Sequence, residues 1–138
     1  MKVSLNWIRD YVEIRMDSKE LTHLLTMAGL EVEGATSVGE GLDKVVVAEI
    51  RSIRRHPKAD RLSLVEAKTD QDTFSIVCGA TNIKEGQKVP LALVGARLPN
   101  GIEIKRSKIR GVLSEGMLCS EIELALGQEA SGIMILPP

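Results

Sequence analysis

Aromatic side chains are almost missing: Trp7, Tyr11 and Phe74 are the full set in 138 residues. A core must therefore be built from Val, Ile, Leu and Ala, and a ladder of stacked rings for reading nucleic-acid bases is excluded. Cysteine is equally scarce. Cys78 and Cys119 stand alone, with no CxxC pair, which rules out a disulfide scaffold and fits buried thiols in a reducing compartment. A structural zinc site wants four ligands, and the two Cys with His23 and His56 are the full supply of thiols and imidazoles, at no recognised spacing. A nucleophilic Cys119 would need a base, an orienting third group and an oxyanion donor, and the sequence supplies no such set. No metal site and no catalytic residue is expected, and His23 reads as a partly exposed structural histidine on a helix. Apolar runs of membrane-spanning length are absent, and the opening Met-Lys-Val-Ser-Leu-Asn-Trp lacks the apolar stretch of a signal peptide. The expectation is a cytoplasmic protein without membrane contact.

What the chain does have is 43% apolar and 27% charged residues, enough to fill a core. Its net charge of −1 conceals a strong segregation. Residues 51–110 hold 13 Lys/Arg against 6 Asp/Glu, and the rest holds 5 against 13. A positive middle is a candidate footprint for a phosphate backbone, with uneven scatter of charge as the alternative. The densest cluster is Lys105, Arg106, Lys108 and Arg110. On a regular strand, Arg106, Lys108 and Arg110 share one face and Lys105 takes the other, unless a bulge at Ser107 re-aims them. Three cations on one face repel unless a polyanion or carboxylates compensate. Lys58 and Arg61 flank a turn from which long basic side chains reach a phosphate, a solvated turn being the alternative for Lys58 and an ion pair for Arg61.

Two units are expected, residues 1–38 and 39–138. In the first, residues 2–4 suit a short strand and Ser4 caps a helix reaching Val12. Asp17 and Glu20 stand at capping-box spacing, Leu21, Leu24, Leu25 and Ala28 recur with helical period, and Gly29 supplies the stop. Residues 30–33 alternate like a strand. So small an α/β unit buries little and is expected to be partial. After the Gly39-Glu40-Gly41 hinge come short β-prone runs at residues 44–53, 62–67, 73–78, 88–94 and 102–104, with a further one in the segment through Ile109, separated by Gly, Pro and Asn turns. Ser120 and Glu123 form a capping box for a short helix over residues 120–126, and residues 133–136 read as a closing strand. The final Pro137-Pro138 suits a chain that continues. The fold class expected is mainly β: a five-stranded OB-fold barrel with a short capping helix, preceded by the partial α/β unit.

The motifs now resemble a known family. His56-Pro57-Lys58-Ala59-Asp60-Arg61-Leu62, then Val77-Cys78-Gly79-Ala80 with Asn82, then Gly95-Ala96-Arg97-Leu98-Pro99, then Arg110-Gly111-Val112 and Ser114-Glu115-Gly116-Met117-Leu118-Cys119-Ser120-Glu121 follow the order of the tRNA-binding OB module. Ser4-Leu5-Asn6-Trp7-Ile8 and the run from Leu25 to Glu33 resemble the start of bacterial-type phenylalanyl-tRNA synthetase β chains. The resemblance implies a non-catalytic fragment that assists aminoacylation of tRNA(Phe) in a full enzyme. Catalysis, with ATP and Mg2+, would lie outside this chain, and the fragment would need no cofactor of its own. Partners would be tRNA, the synthetase α subunit and the remainder of the β chain, whose later part completes residues 1–38.

Asn82, Ser114 and Ser120 match family positions linked to tRNA contact, which completes the candidate set of Lys58, Arg61, Asn82, Lys105, Arg106, Lys108, Arg110, Ser114 and Ser120. Asn82 is equally suited to hold its own loop by side-chain-to-backbone bonds. Glu115 and Glu121 suit the orienting of basic side chains, and residues 117–119 suit the core. Without aromatic readers, recognition would be of backbone and shape. Two other readings stand: a structural or protein-interaction OB domain whose basic face meets acidic protein, and a free-standing tRNA-binding protein.

Overall fold

The structure is a computed structural model that describes residues 1–138, and it divides into two units, Met1–Val38 and Gly39–Pro138. The first unit holds two helices, α1 (Leu5–Arg9) and α2 (Ser18–Met27). Ser4 caps α1 by accepting from the Trp7 amide at 3.4 Å, and Asp17 caps α2 by accepting from Glu20 at 2.8 Å. At the end of α2, Gly29 adopts φ 95° and donates to Thr26, while Leu30 donates to Leu25. That pair of bonds is a Schellman stop, and it needs a residue tolerant of the left-handed region. Neither helix buries a single residue. The strands expected at residues 2–4 and 30–33 do not form, and α1 ends three residues before Val12. A strand exists only when a second strand satisfies its backbone, and this unit offers none.

The second unit is a barrel. Its strands are β1 (Val45–His56), β2 (Ala59–Lys68), β3 (Thr73–Cys78), β4 (Lys88–Leu93), β5 (Ser107–Ile109), β6 (Val112–Ser114) and β7 (Gly116–Leu118). Five of them form an antiparallel sheet in the order β3-β2-β1-β4-β7. The sheet curls until its ends meet: the Glu115 amide donates to the Ser75 carbonyl at 2.9 Å, and the Val77 amide to Ser114 Oγ at 3.1 Å. The five-stranded, nearly closed barrel agrees with the expected OB-type architecture. The length of β1 and the register slips at residues 50–52 and 55–56 supply the bend that such closure requires.

Alternation along the strands sends Ile50, Val65, Ala67, Ile76, Val89 and Leu91 into the barrel interior, all at or below 1% exposure. Strand β4 is buried on both faces, as its unbroken Val-Pro-Leu-Ala-Leu run requires. Its outer face carries a second core, in which Ala92 packs with Ala96, Leu98, Ile104, Cys119 and Leu124. The hairpin-type turn at Leu98 forms, with Leu98 donating to Ile102 and Gly101 to Leu98.

Two segments depart from expectation. Residues 120–126 are a series of turns rather than a regular helix. The capping box itself is made, with Glu123 Oε2 accepting from the Ser120 amide at 2.7 Å and from its hydroxyl at 2.8 Å. Beyond it, Leu126 donates back to Glu121 and Ala125 adopts φ 53°, so propagation stops within one turn. The closing strand at residues 133–136 is reduced to a bridge between Lys88 and Leu136.

Candidate nucleic-acid interface

Strands β5 and β6 pair as a minimal hairpin, Ile109 opposite Val112, leaving Arg110 and Gly111 as a two-residue loop. Their φ values are 51° and 90°. Two successive positive φ angles are the signature of a type I′ turn, whose twist matches antiparallel strands. Arg110 is therefore a turn residue, and regular alternation does not carry it onto a common strand face with Arg106 and Lys108. The strand itself covers only residues 107–109. A two-stranded ribbon this short is marginal alone, so its position depends on what it touches.

It touches the β1–β2 turn. His56 is 4% exposed, and its Nε2 lies 3.1 Å from the Ile109 carbonyl while Nδ1 lies 3.1 Å from the Lys58 amide. A carbonyl only accepts and an amide only donates, so the ring carries its proton on Nε2. The same junction brings the Lys58 ammonium to the hairpin loop, 3.8 Å from where a side chain on Gly111 would begin. Beyond the turn, the register jumps from His56 opposite Ala59 to Arg55 opposite Ser63, which leaves Arg61 in a bulge of β2.

The basic residues separate into two groups. Lys105 pairs with Glu103 at 3.7 Å, and Arg106 with Glu115 at 3.4 Å, the orienting role expected of Glu115. Lys58, Arg61, Lys108 and Arg110 are exposed and make no ion pair. Arg54 and Arg55, at the end of β1 beside His56, are likewise exposed and unpaired, and the sequence reading left them out. The signal was available: residues 54–61 hold four Lys/Arg and a single carboxylate, Asp60.

The polar candidates fare differently. Ser114 is 2% exposed; its hydroxyl accepts from Val77 and donates to the Gly116 carbonyl at 3.0 Å. Ser120, 7% exposed, donates its hydroxyl to Glu123. Both hydroxyls are thus engaged within the protein, Ser114 between β3 and β7 and Ser120 in the turn that follows β7. Asn82 makes the loop-holding bonds. Its amide nitrogen donates to the Ile133 carbonyl at 2.8 Å and its oxygen accepts from the Ile133 amide at 3.1 Å, holding the β3–β4 loop to the C-terminal segment. Lys105, Ser114 and Ser120 do share the walls of an open cleft of ≈ 640 Å³.

Neither thiol is activated by its surroundings. Cys78 and Cys119 are buried and free. Burial, with Glu123 adding to it, pushes the Cys119 thiol up to about 12, and burial raises Cys78 as well. Both stay protonated, the opposite of an activated nucleophile. No group of three or more His, Cys, Asp or Glu is placed to hold a metal ion. No helix is long and apolar enough to cross a membrane.

A small OB-type barrel with unpaired cations gathered at its β1–β2 turn and hairpin loop belongs to the class of oligonucleotide-binding β-barrels. The family model described as "Putative tRNA binding domain" matches residues 45–138, and the chain belongs to that family. Over its whole length it is similar to phenylalanine–tRNA ligase beta subunits. It is 57% identical over 138 residues to that of Syntrophus aciditrophicus, 53% over 138 to that of Syntrophotalea carbinolica, and 55% over 137 to that of Geobacter sulfurreducens. These alignments cover 99–100% of this chain and 17% of each relative, so the chain spans about one sixth of their length.

Proposed function

We propose that residues 39–138 bind tRNA through its phosphate backbone, at a surface formed by Lys58, Arg61, Lys108 and Arg110 with Arg54 and Arg55 beside them. The observation that carries this reading is the meeting of two basic turns, the Lys58 ammonium lying against the Arg110–Gly111 loop and His56 bonding Ile109, on a barrel of the tRNA-binding family. Lys105 and Arg106 contribute less, because Glu103 and Glu115 already compensate them. Asn82, Ser114 and Ser120 act by shaping the barrel. Readout is of backbone and shape, since Phe74 is the barrel's single aromatic ring.

In the longer protein this part assists aminoacylation of tRNA(Phe), with ATP, Mg2+ and the α subunit engaged elsewhere, in the cytoplasm. It needs no cofactor of its own. Protein contact is the better reading for residues 1–38. There Trp7, Tyr11, Leu24, Met27 and Leu30 are all more than half exposed, which favours an apolar partner surface such as the remainder of the β chain.

Titration with bulk tRNA at several salt concentrations tests the RNA reading. With three or four phosphates neutralised, log affinity falls against log salt with a slope of about −2 to −4. Replacing Lys58, Lys108 and Arg110 by Glu abolishes the binding, whereas replacing Lys105 by Glu changes it little. Identical binding by wild type and the triple variant would overturn the assignment.

A further inference from the structure

The interface is assembled from two pieces that the chain does not join directly. Lys58 sits on the turn between β1 and β2, and Lys108 and Arg110 sit on a hairpin some fifty residues later. The hairpin is three residues by three and cannot hold an orientation by its own pairing. Its base is anchored at Ser114 and Glu115, on the strand side away from the loop. At the loop end, the bond from His56 to the Ile109 carbonyl is the side-chain hydrogen bond that ties the hairpin to the first turn.

We infer that His56 is a positioning residue for RNA binding: a buried clamp that sets Lys58 and the Arg110 loop side by side so that one run of phosphates meets both. The inference rests on the tRNA-binding reading above. Its chemistry is specific. The ring must accept from Lys58 at Nδ1 and donate to Ile109 at Nε2, and the two bonds point in different directions from a rigid plane. Glutamine at 56 extends far enough to place an N–H donor near Ile109 but leaves the Lys58 amide without its acceptor. Asparagine keeps an acceptor near the Lys58 amide but does not reach Ile109. The clamp thus has two separable halves, and the half that matters for the hairpin is the Nε2 bond.

The 138-residue chain, wild type and with H56N or H56Q, is titrated with bulk tRNA across a salt series, and each is also combined with K108A/R110A. In H56N the loop end of the hairpin is released, and the salt slope drops by about 1.5, the share of two phosphate contacts. Adding K108A/R110A to H56N then changes the slope no further, while H56Q retains most of the wild-type slope. Additive effects of H56N and K108A/R110A, or a wild-type slope in H56N, would overturn the clamp. A reading that needs no variant accompanies it: ring nitrogen NMR shifts of the wild type report a protonated Nε2 and a bare Nδ1. The opposite tautomer would overturn the proposal. Should the wild type itself show no salt-dependent binding, the tRNA reading fails instead, so the two failures are distinguishable.

Discussion

Both ends of the Asn82 amide are bonded to one residue, Ile133, and the side chain packs closely against Gly132. The amide substitutes for a strand partner, exchanging a donor and an acceptor with a segment that has no ladder of its own. Asn82→Ala leaves two backbone groups unpartnered and lowers stability by roughly 1–3 kcal/mol, measured by urea denaturation. The salt slope of tRNA binding stays that of the wild type, since the loss is structural. Cys119 contributes a pH dependence, and Cys78, raised by burial as well, acts in the same direction. The Cys119 thiol is raised from 9.0 to about 12, so between those values an unfolded chain releases a proton that the folded chain keeps. Stability is unaffected by this group below pH 9 and falls as pH rises above it. Cys119→Ala removes that contribution, and its urea midpoint declines less steeply than the wild type's above pH 9.

Among the elements, the short strand β7 decides whether the barrel closes. Gly116 pairs with Leu93, and a Cβ there would stand 2.7 Å from the Ala92 carbonyl oxygen. Backbone cannot yield as a flexible side-chain end does, so Gly116→Ala forces β7 away from β4. Thermal unfolding is expected to show a loss of about 1–3 kcal/mol, the usual cost of overpacking. The β5–β6 hairpin shows why local pattern misleads. Reading residues 105–110 as one alternating strand placed three cations on a face, yet Arg110 lies in the left-handed region and Arg106 turns to Glu115. An Arg-Gly pair is not among the strong type I′ signals, so Gly111 alone marked the turn only weakly. At residues 120–126 the capping box formed as its spacing required, while the helix behind it did not.

At the scale of the whole chain, the two units differ in kind. The barrel surrounds Ile50, Ile76, Val89 and Leu91 at 0% exposure, whereas α1 and α2 bury nothing. Hydrogen exchange should follow that division: amides of Ile50, Val65, Ile76 and Leu91 exchange slowest, and those of both helices exchange within the fast, locally opening class. Uniform protection across residues 1–138 would contradict it.

Local chemistry determined much of this. Strand runs bounded by Gly and Pro, the caps at Ser4, Asp17 and Ser120, the Gly29 stop and the ordered motifs depend on neighbours within a few residues, and such short-range rules can be read along the chain. Which cations are free could not be read that way. Lys105 and Arg106 differ from Lys108 and Arg110 only because Glu103 and Glu115 lie within reach of the first pair. Nor could sequence distinguish a serine at a surface from one bonded inside a barrel, or reveal that His56 reaches across 53 positions to Ile109. Apart from the Lys105–Glu103 pair, whose members stand two residues apart, those outcomes depend on groups brought together by barrel closure, and only the tertiary structure decides them.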